Sequence, residues 1–219
     1  MILSFSSARD RQAEALRLQK AGFPVTEERI YTSVMAAADA IRHEWPNRIH
    51  MDMIGSKAME NTLRTAGFLR MGTPDWLFIG QNRAAGFTEY SHALEMIMNG
   101  ARPVALEGGM VRRVGDRIEL GAGAIVAMLE AAGQRPALHF DRVNRAVLKQ
   151  AARYGNLMNG TLTVVDCGRL WDLTDLNEAG VRTVLLAEHG VDENPLQAKV
   201  HPHWIVPSLS GLYRTLYET

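Results

Sequence analysis

Short apolar runs alternate along the chain with amphipathic stretches that stop at glycine, a rhythm of strands and helices. Met1–Phe5 reads as a strand, and Ser6 or Ser7 is placed to cap a helix over Arg9–Ala21 that closes at Gly22. A strand at Arg29–Thr32 leads into a helix over Met35–Glu44 stopped by Pro46. Ile49–Ile54 and Trp76–Ile79 are strands flanking a helix at Lys57–Ala66 that ends at Gly67. A helix over Glu89–Asn99 closes at Gly100, and Val104–Leu106 is a short strand. VRRVGDRIEL predicts a hairpin turning at Gly115–Asp116. Helices are expected at Ile125–Ala132 and Asn144–Tyr154, strands at Leu162–Val165, Val181–Leu186 and Trp204–Val206, and a last helix at Leu209–Tyr217. Such alternation predicts an α/β fold whose parallel sheet carries helices on both faces.

The stretch 161–186 adds chemistry to this pattern. Asp166, Asp172 and Asp175 follow the carboxyl end of a buried strand, where open α/β sheets hold ligands. Carboxylates clustered there suit a cation that serves a phosphate, or a plain helix cap. Lys plus Arg and Asp plus Glu balance at 24 each, which gives no electrostatic case for nucleic acid or a membrane surface. The single cysteine, Cys167, excludes an internal disulfide and suits a reducing compartment. No charged leader opens MILSFSSARD and no run approaches a membrane span, so a cytoplasmic protein is expected.

Several local patterns, in order, resemble the haloacid dehalogenase superfamily, and within it class IIA, the NagD and nitrophenyl-phosphatase branch. MILSFSSARDRQAEALRLQKAGF is similar to that branch's second core strand, its Thr/Ser-Asn-x-Ser-x-Arg turn and the helix beyond. IYTSVMAAADAI resembles the segment entering the cap, and LFIGQNRAAGFTEYSHALEMIMNGARPVAL with GAGAIVAMLEAA resembles the cap itself. VVDCGRLWDLTDLNEAGVRTVLLAEHG looks like the last acidic motif, and WIVPSLSGLYRTL like the terminal strand and helix. The resemblance implies a core domain at 1–46 and 136–219 and an inserted α/β cap at 47–135. It also implies Mg²⁺, an Asp-x-Asp nucleophile on the first core strand, a second acid there, a Ser/Thr hydroxyl and a lysine.

Matched motif by motif, the 219 residues depart from that set. They contain no Asp-x-Asp: Asp52 stands alone on a cap strand, and Asp172 and Asp175 are three apart. The hydroxyl motif maps onto Ser4, with Ser7 and Arg9 matching the turn, an implied phosphate cradle at a helix start. The lysine motif falls near His139–Arg142. There Arg142 offers a planar fork instead of an ammonium, and Asp141 would repel a phosphate or cap the helix from Val143. In the acidic motif Asp172 is kept, Cys167 stands where an aspartate belongs, and Asp166 is displaced by one residue. A one-residue slip turns a strand side chain to the other face. The cap's Ala-Thr-Asn-x-Asp loop is replaced by Ala-Leu-Glu-Gly-Gly, which leaves Glu107, Gly108 and Gly109 as the implied substrate contacts. Arg112, Arg113 and Arg117 form either a basic lip over an anion or a solvated hairpin face; His201 and His203 share a strand face without further metal ligands.

In the family the nucleophile strand lies between the two strands matching Met1–Phe5 and Leu162–Val165. With that strand missing, the expectation is that these two pair directly, since an empty slot would strand backbone donors and acceptors. An unpaired edge would also favour a homodimer. The functional expectation is a phosphatase-like protein without an aspartyl nucleophile, keeping a weak pocket for a small phosphorylated metabolite or binding a partner. Its rivals are an active Mg²⁺-dependent phosphatase whose nucleophile strand comes from outside the chain, and a structural or assembly protein.

Overall fold

Capping residues set where the helices begin. In the computed structural model, which describes residues 1–157, 162–166, 176, 180–186 and 202–217, β1 (Ile2–Ser4) leads to α1 (Arg11–Lys20). Asp10 caps α1 by accepting from the Ala13 N–H at 2.8 Å. This corrects the expectation that Ser6 or Ser7 caps it. A 3₁₀ turn, Glu27–Arg29, and β2 (Ile30–Thr32) follow, and Thr32 caps α2 (Ser33–Glu44). The chain continues through β3 (Met51–Ile54), α3 (Lys57–Thr65) capped by Ser56, β4 (Trp76–Ile79), α4 (Phe87–Met98) and β5 (Arg102–Ala105).

The expected hairpin is formed by β6 (Val111–Val114) and β7 (Arg117–Leu120), with Gly115 at φ 58° in its turn. α5 (Ala122–Gly133), β8 (Leu138–His139) and α6 (Arg145–Tyr154) come next. Asn144 caps α6, accepting from Val147 N–H at 2.9 Å, so Asp141 is not the cap it was expected to be. β9 (Thr163–Asp166), β10 (Arg182–Leu186), β11 (Trp204–Val206) and α7 (Leu209–Tyr217) complete the described elements. The helix expected between β9 and Gly180 lies outside the described residues except for Leu176.

The central layer is a four-stranded parallel sheet ordered β3-β4-β5-β8. β4 is buried along its whole length, and its alternate side chains feed two clusters. Trp76 and Phe78 join Val34, Ile41, Leu63, Phe68, Val147 and Ala151 on the side of α2, α3 and α6. Leu77 and Ile79 join Ala93, Ile97, Val126 and Leu129 on the side of α4 and α5. β8 was not foreseen, because two residues show no periodicity, yet it extends this sheet to His139. Packing therefore crosses the expected boundaries at 46/47 and 135/136.

The remaining strands form two parallel sheets, β1-β2 and β11-β10-β9. β1 pairs only with β2 and β9 only with β10, so the expected direct pairing of β1 with β9 is not found among the described residues. Side chains stand where backbone pairing was expected. Leu3, Phe5 and Val164 pack around a common cluster of Val143, Leu148 and Leu176. The outer edge of each strand is left without a described ladder partner.

Phe78 is fully buried and meets Phe68 edge-on at 5.2 Å between ring centres. Phe78→Ala is expected to cost about 3–5 kcal/mol in urea denaturation, since it opens a cavity in the larger cluster.

Candidate functional site

The carboxyl ends of three parallel strands, β3, β4 and β5, converge on one residue of the turn after β1. Ser7 is fully buried. Its N–H and its hydroxyl both donate to Glu107 Oε2, at 3.1 and 2.8 Å. The Gln81 N–H donates to Ser7 Oγ at 2.7 Å, and the Ser56 hydroxyl donates to the Ser7 carbonyl at 2.8 Å. Glu107 follows β5, Gln81 follows β4 and Ser56 follows β3, so Ser7 is held by every strand end within reach. Gly80 makes the approach possible, because a Cβ there would lie 2.6 Å from Ser7 Oγ.

This geometry changes the part assigned to several residues. Ser7 was expected in the phosphate cradle, but its donors are spent on Glu107, which a phosphate would have to displace. Glu107 is a contact of the chain itself. Arg9 is spent as well: its Nε donates to Glu14 Oε2 at 2.6 Å, and Arg17 reaches the same carboxylate at 2.7 Å. Burial pushes the Glu14 carboxyl up, but the hydrogen bonds from Arg17 and Arg9 outweigh it and hold it below the usual range. Gly108 and Gly109 pack backbone to backbone against the start of α5, where Gly123 N–H donates to the Gly109 carbonyl at 3.1 Å. A Cβ at Gly108 would lie 2.6 Å from Asp141 Oδ2, which ties the loop to the next cluster.

That cluster centres on Asp141, which is buried. His139 Nδ1 lies 3.1 Å from its Oδ1, and Arg142 Nε donates to the same oxygen at 3.3 Å. His139 Nε2 lies 3.3 Å from Glu130 Oε1 on the far side. The hydrogen bond to Asp141 holds the imidazole above its ordinary pKa against the opposing effect of burial, with the negative charges of Asp141 and Glu130 adding to it. Burial pushes Asp141 up, but the hydrogen bonds from His139 and Arg142 more than offset this and keep it below the normal carboxylate range. Arg142, expected to meet a phosphate, thus shares its charge with an adjacent carboxylate.

Ser4 keeps its expected place at the carboxyl end of β1, opposite Thr32 in the register. Its hydroxyl takes only a long 3.5 Å contact from the Ser6 N–H. One residue past Thr32, at the first turn of α2, the Ser33 hydroxyl is buried and has no hydrogen-bond partner. Ser33 was missed in the sequence; the signal was the Thr-Ser pair just ahead of an apolar helix. The metal pair is not assembled in view. Asp166 ends β9 with its backbone opposite Leu185, and Asp172, like Cys167 and His201, lies outside the described residues. Among the described residues no three His, Cys, Asp or Glu side chains converge on a cation, so no step is derived through Mg²⁺. His203 is engaged by the Thr183 N–H at 3.2 Å.

Three parallel sheets, of two, three and four strands, with helices packed against them and a hydroxyl-bearing turn, make this an α/β protein. No family model matches the chain. Curated relatives do. Ribonucleotide monophosphatase NagD from Escherichia coli (strain K12) is 24% identical over 204 residues, 90% of this chain and 78% of that protein. Dihydroxyacetone phosphatase from Corynebacterium glutamicum (strain R) is 22% identical over 214 residues, 97% of this chain and 78% of the relative. Among solved structures, p-nitrophenyl phosphatase from Archaeoglobus fulgidus superposes with a TM-score of 0.83 at 24% identity, covering 97% of this chain and 84% of that one. The chain is similar to these phosphatases over nearly its whole length, and its fold is that of the NagD-like branch, class IIA, of the haloacid dehalogenase superfamily.

Ser7→Ala removes two contacts of the clamp, and Gly80→Ala drives a methyl into it. Each is expected to lower stability by about 1–3 kcal/mol in urea denaturation. The His139 contribution has a defined sign in pH. Its folded pKa lies above 6.5, so the stabilisation is complete below that value and lost as pH rises through the higher folded one. The melting-temperature advantage of the native protein over His139→Gln should be largest in mild acid and vanish in alkaline buffer.

Proposed function

We propose that these 219 residues form a phosphatase-like protein that binds a small phosphorylated metabolite weakly and does not turn it over by itself. The observation that supports this reading is the pair of edges on β1 and β9 that have no ladder partner among the described residues. The family resemblance puts the nucleophile strand between those two edges, and the residues contain no Asp-x-Asp to supply it. Around the gap, the charges expected on the phosphate are engaged elsewhere: Arg9 with Glu14, and Arg142 with Asp141. What remains for a phosphate is the Ser4 hydroxyl, the buried Ser33 hydroxyl, which has no partner among the described residues, and the N-terminus of α2. NagD and dihydroxyacetone phosphatase are named for small phosphorylated substrates, which supports that ligand class for this chain.

The same open edges support a second reading, in which a strand from outside residues 1–219 completes the sheet and brings the nucleophile and general acid with it. Mg²⁺ at Asp166 and Asp172 would then serve the phosphoryl group. Open parallel edges also support self-association as a homodimer, which light scattering would measure as a doubled mass.

Purified protein is expected to show no Mg²⁺-dependent hydrolysis of p-nitrophenyl phosphate above background. Turnover that Asp172→Ala abolishes would overturn the first reading and establish the second. Inorganic phosphate is expected to bind weakly and to lose affinity in Ser4→Ala.

A further inference from the structure

A cavity of about 400 Å³ opens beside the Ser7 clamp, on the α4 and α5 side of the sheet and under the β6–β7 hairpin. That volume is at the lower end of small-molecule sites. Tyr90 and Ile125 give it an apolar wall, and Gln81 and Asn82 give it amide groups. Arg83, on the loop after β4, pairs with Glu119 of β7 across it. Glu119 is also the cross-strand partner of Arg112, whose Nε lies 3.9 Å from the Glu119 carboxylate. The Arg112 Nε is buried and has no hydrogen-bond acceptor. Two guanidinium groups therefore share one carboxylate beside a cavity with an apolar wall, which leaves one positive charge and one buried donor unanswered.

We propose that this cavity binds a small organic anion, a phosphomonoester or carboxylate on a compact body, whose anionic head replaces Glu119 on Arg83 and Arg112. The body lies against Tyr90 and Ile125, and Gln81 and Asn82 meet its hydroxyl or carbonyl groups. The site is distinct from the Ser4 turn and does not depend on turnover. Glu119 acts as an internal competitor, so the two charged partners have opposite effects. Removing the carboxylate tightens binding and removing Arg83 weakens it.

Calorimetry on the full chain with glycerol 3-phosphate, glycerate, inorganic phosphate and glycerol tests this. Glycerol 3-phosphate, glycerate or both should bind, and glycerol should not. Glu119→Gln should tighten glycerate by about tenfold and Arg83→Gln should weaken it by about tenfold, in a Ser4→Ala background as in the native chain. Should Glu119→Gln unfold the hairpin, the loss in Arg83→Gln carries the test, because Arg83 lies on a different loop. Binding that Ser4→Ala abolishes and Arg83→Gln does not assigns the anion to the Ser4 turn and overturns the proposal. Binding unmoved by either Arg83→Gln or Glu119→Gln overturns it too. Inorganic phosphate binding as tightly as glycerol 3-phosphate overturns the part played by the organic body.

Discussion

One buried serine ties the turn after β1 to the central sheet. Through its N–H, hydroxyl and carbonyl, Ser7 satisfies Glu107, Gln81 and Ser56 at once, and all three sit at the ends of neighbouring parallel strands. A half-buried carboxylate needs donors, and Glu107 finds two of them on Ser7. Gly80 is the counterpart of this demand, since any larger residue would occupy the space where the serine sits. The turn after β1 is thus fixed by the central sheet, and with it Ser4 and the entry to α1. The place in the chain best suited to cradle an anion is held by an anion of the chain's own.

Charge is handled in the same way elsewhere. Glu14 lies between Arg9 and Arg17, Asp141 between His139 and Arg142, and Glu119 between Arg83 and Arg112. In a neutral chain whose partners lie this close, few charges are left to attract a ligand, and the field is local. The exception is the hairpin, where cations outnumber the carboxylate they share.

Much of the fold was legible because its signals are local. Trp76–Ile79 and Leu209–Tyr217 appear as read, since a run of four apolar residues and an amphipathic stretch each carry their own period. The helix starts were less legible. Asp10 took the cap expected of Ser6 or Ser7; Ser7 is drawn away by partners 49 to 100 residues distant. Arg9 and Arg142 were assigned to a phosphate by alignment alone, and alignment does not show that Glu14 or Asp141 claims them first. β8 and the failure of β1 to meet β9 depend on contacts far apart in sequence, and no periodicity encodes them. The family itself was legible from the order of weak motifs.

The divided core sheet also governs how the molecule comes apart. A continuous sheet transmits strain through its ladder and melts as a unit; here, among the described residues, β1 and β2 share three register pairs with each other and meet β9 through side chains. The first strand pair and the carboxyl-terminal sheet are then separable units of local opening, each able to loosen while the central sheet stays closed. The turn after β1 stays tied to the central sheet through Ser7, and the cluster around Trp76 and Phe78 ties α2 and α6 to it as well.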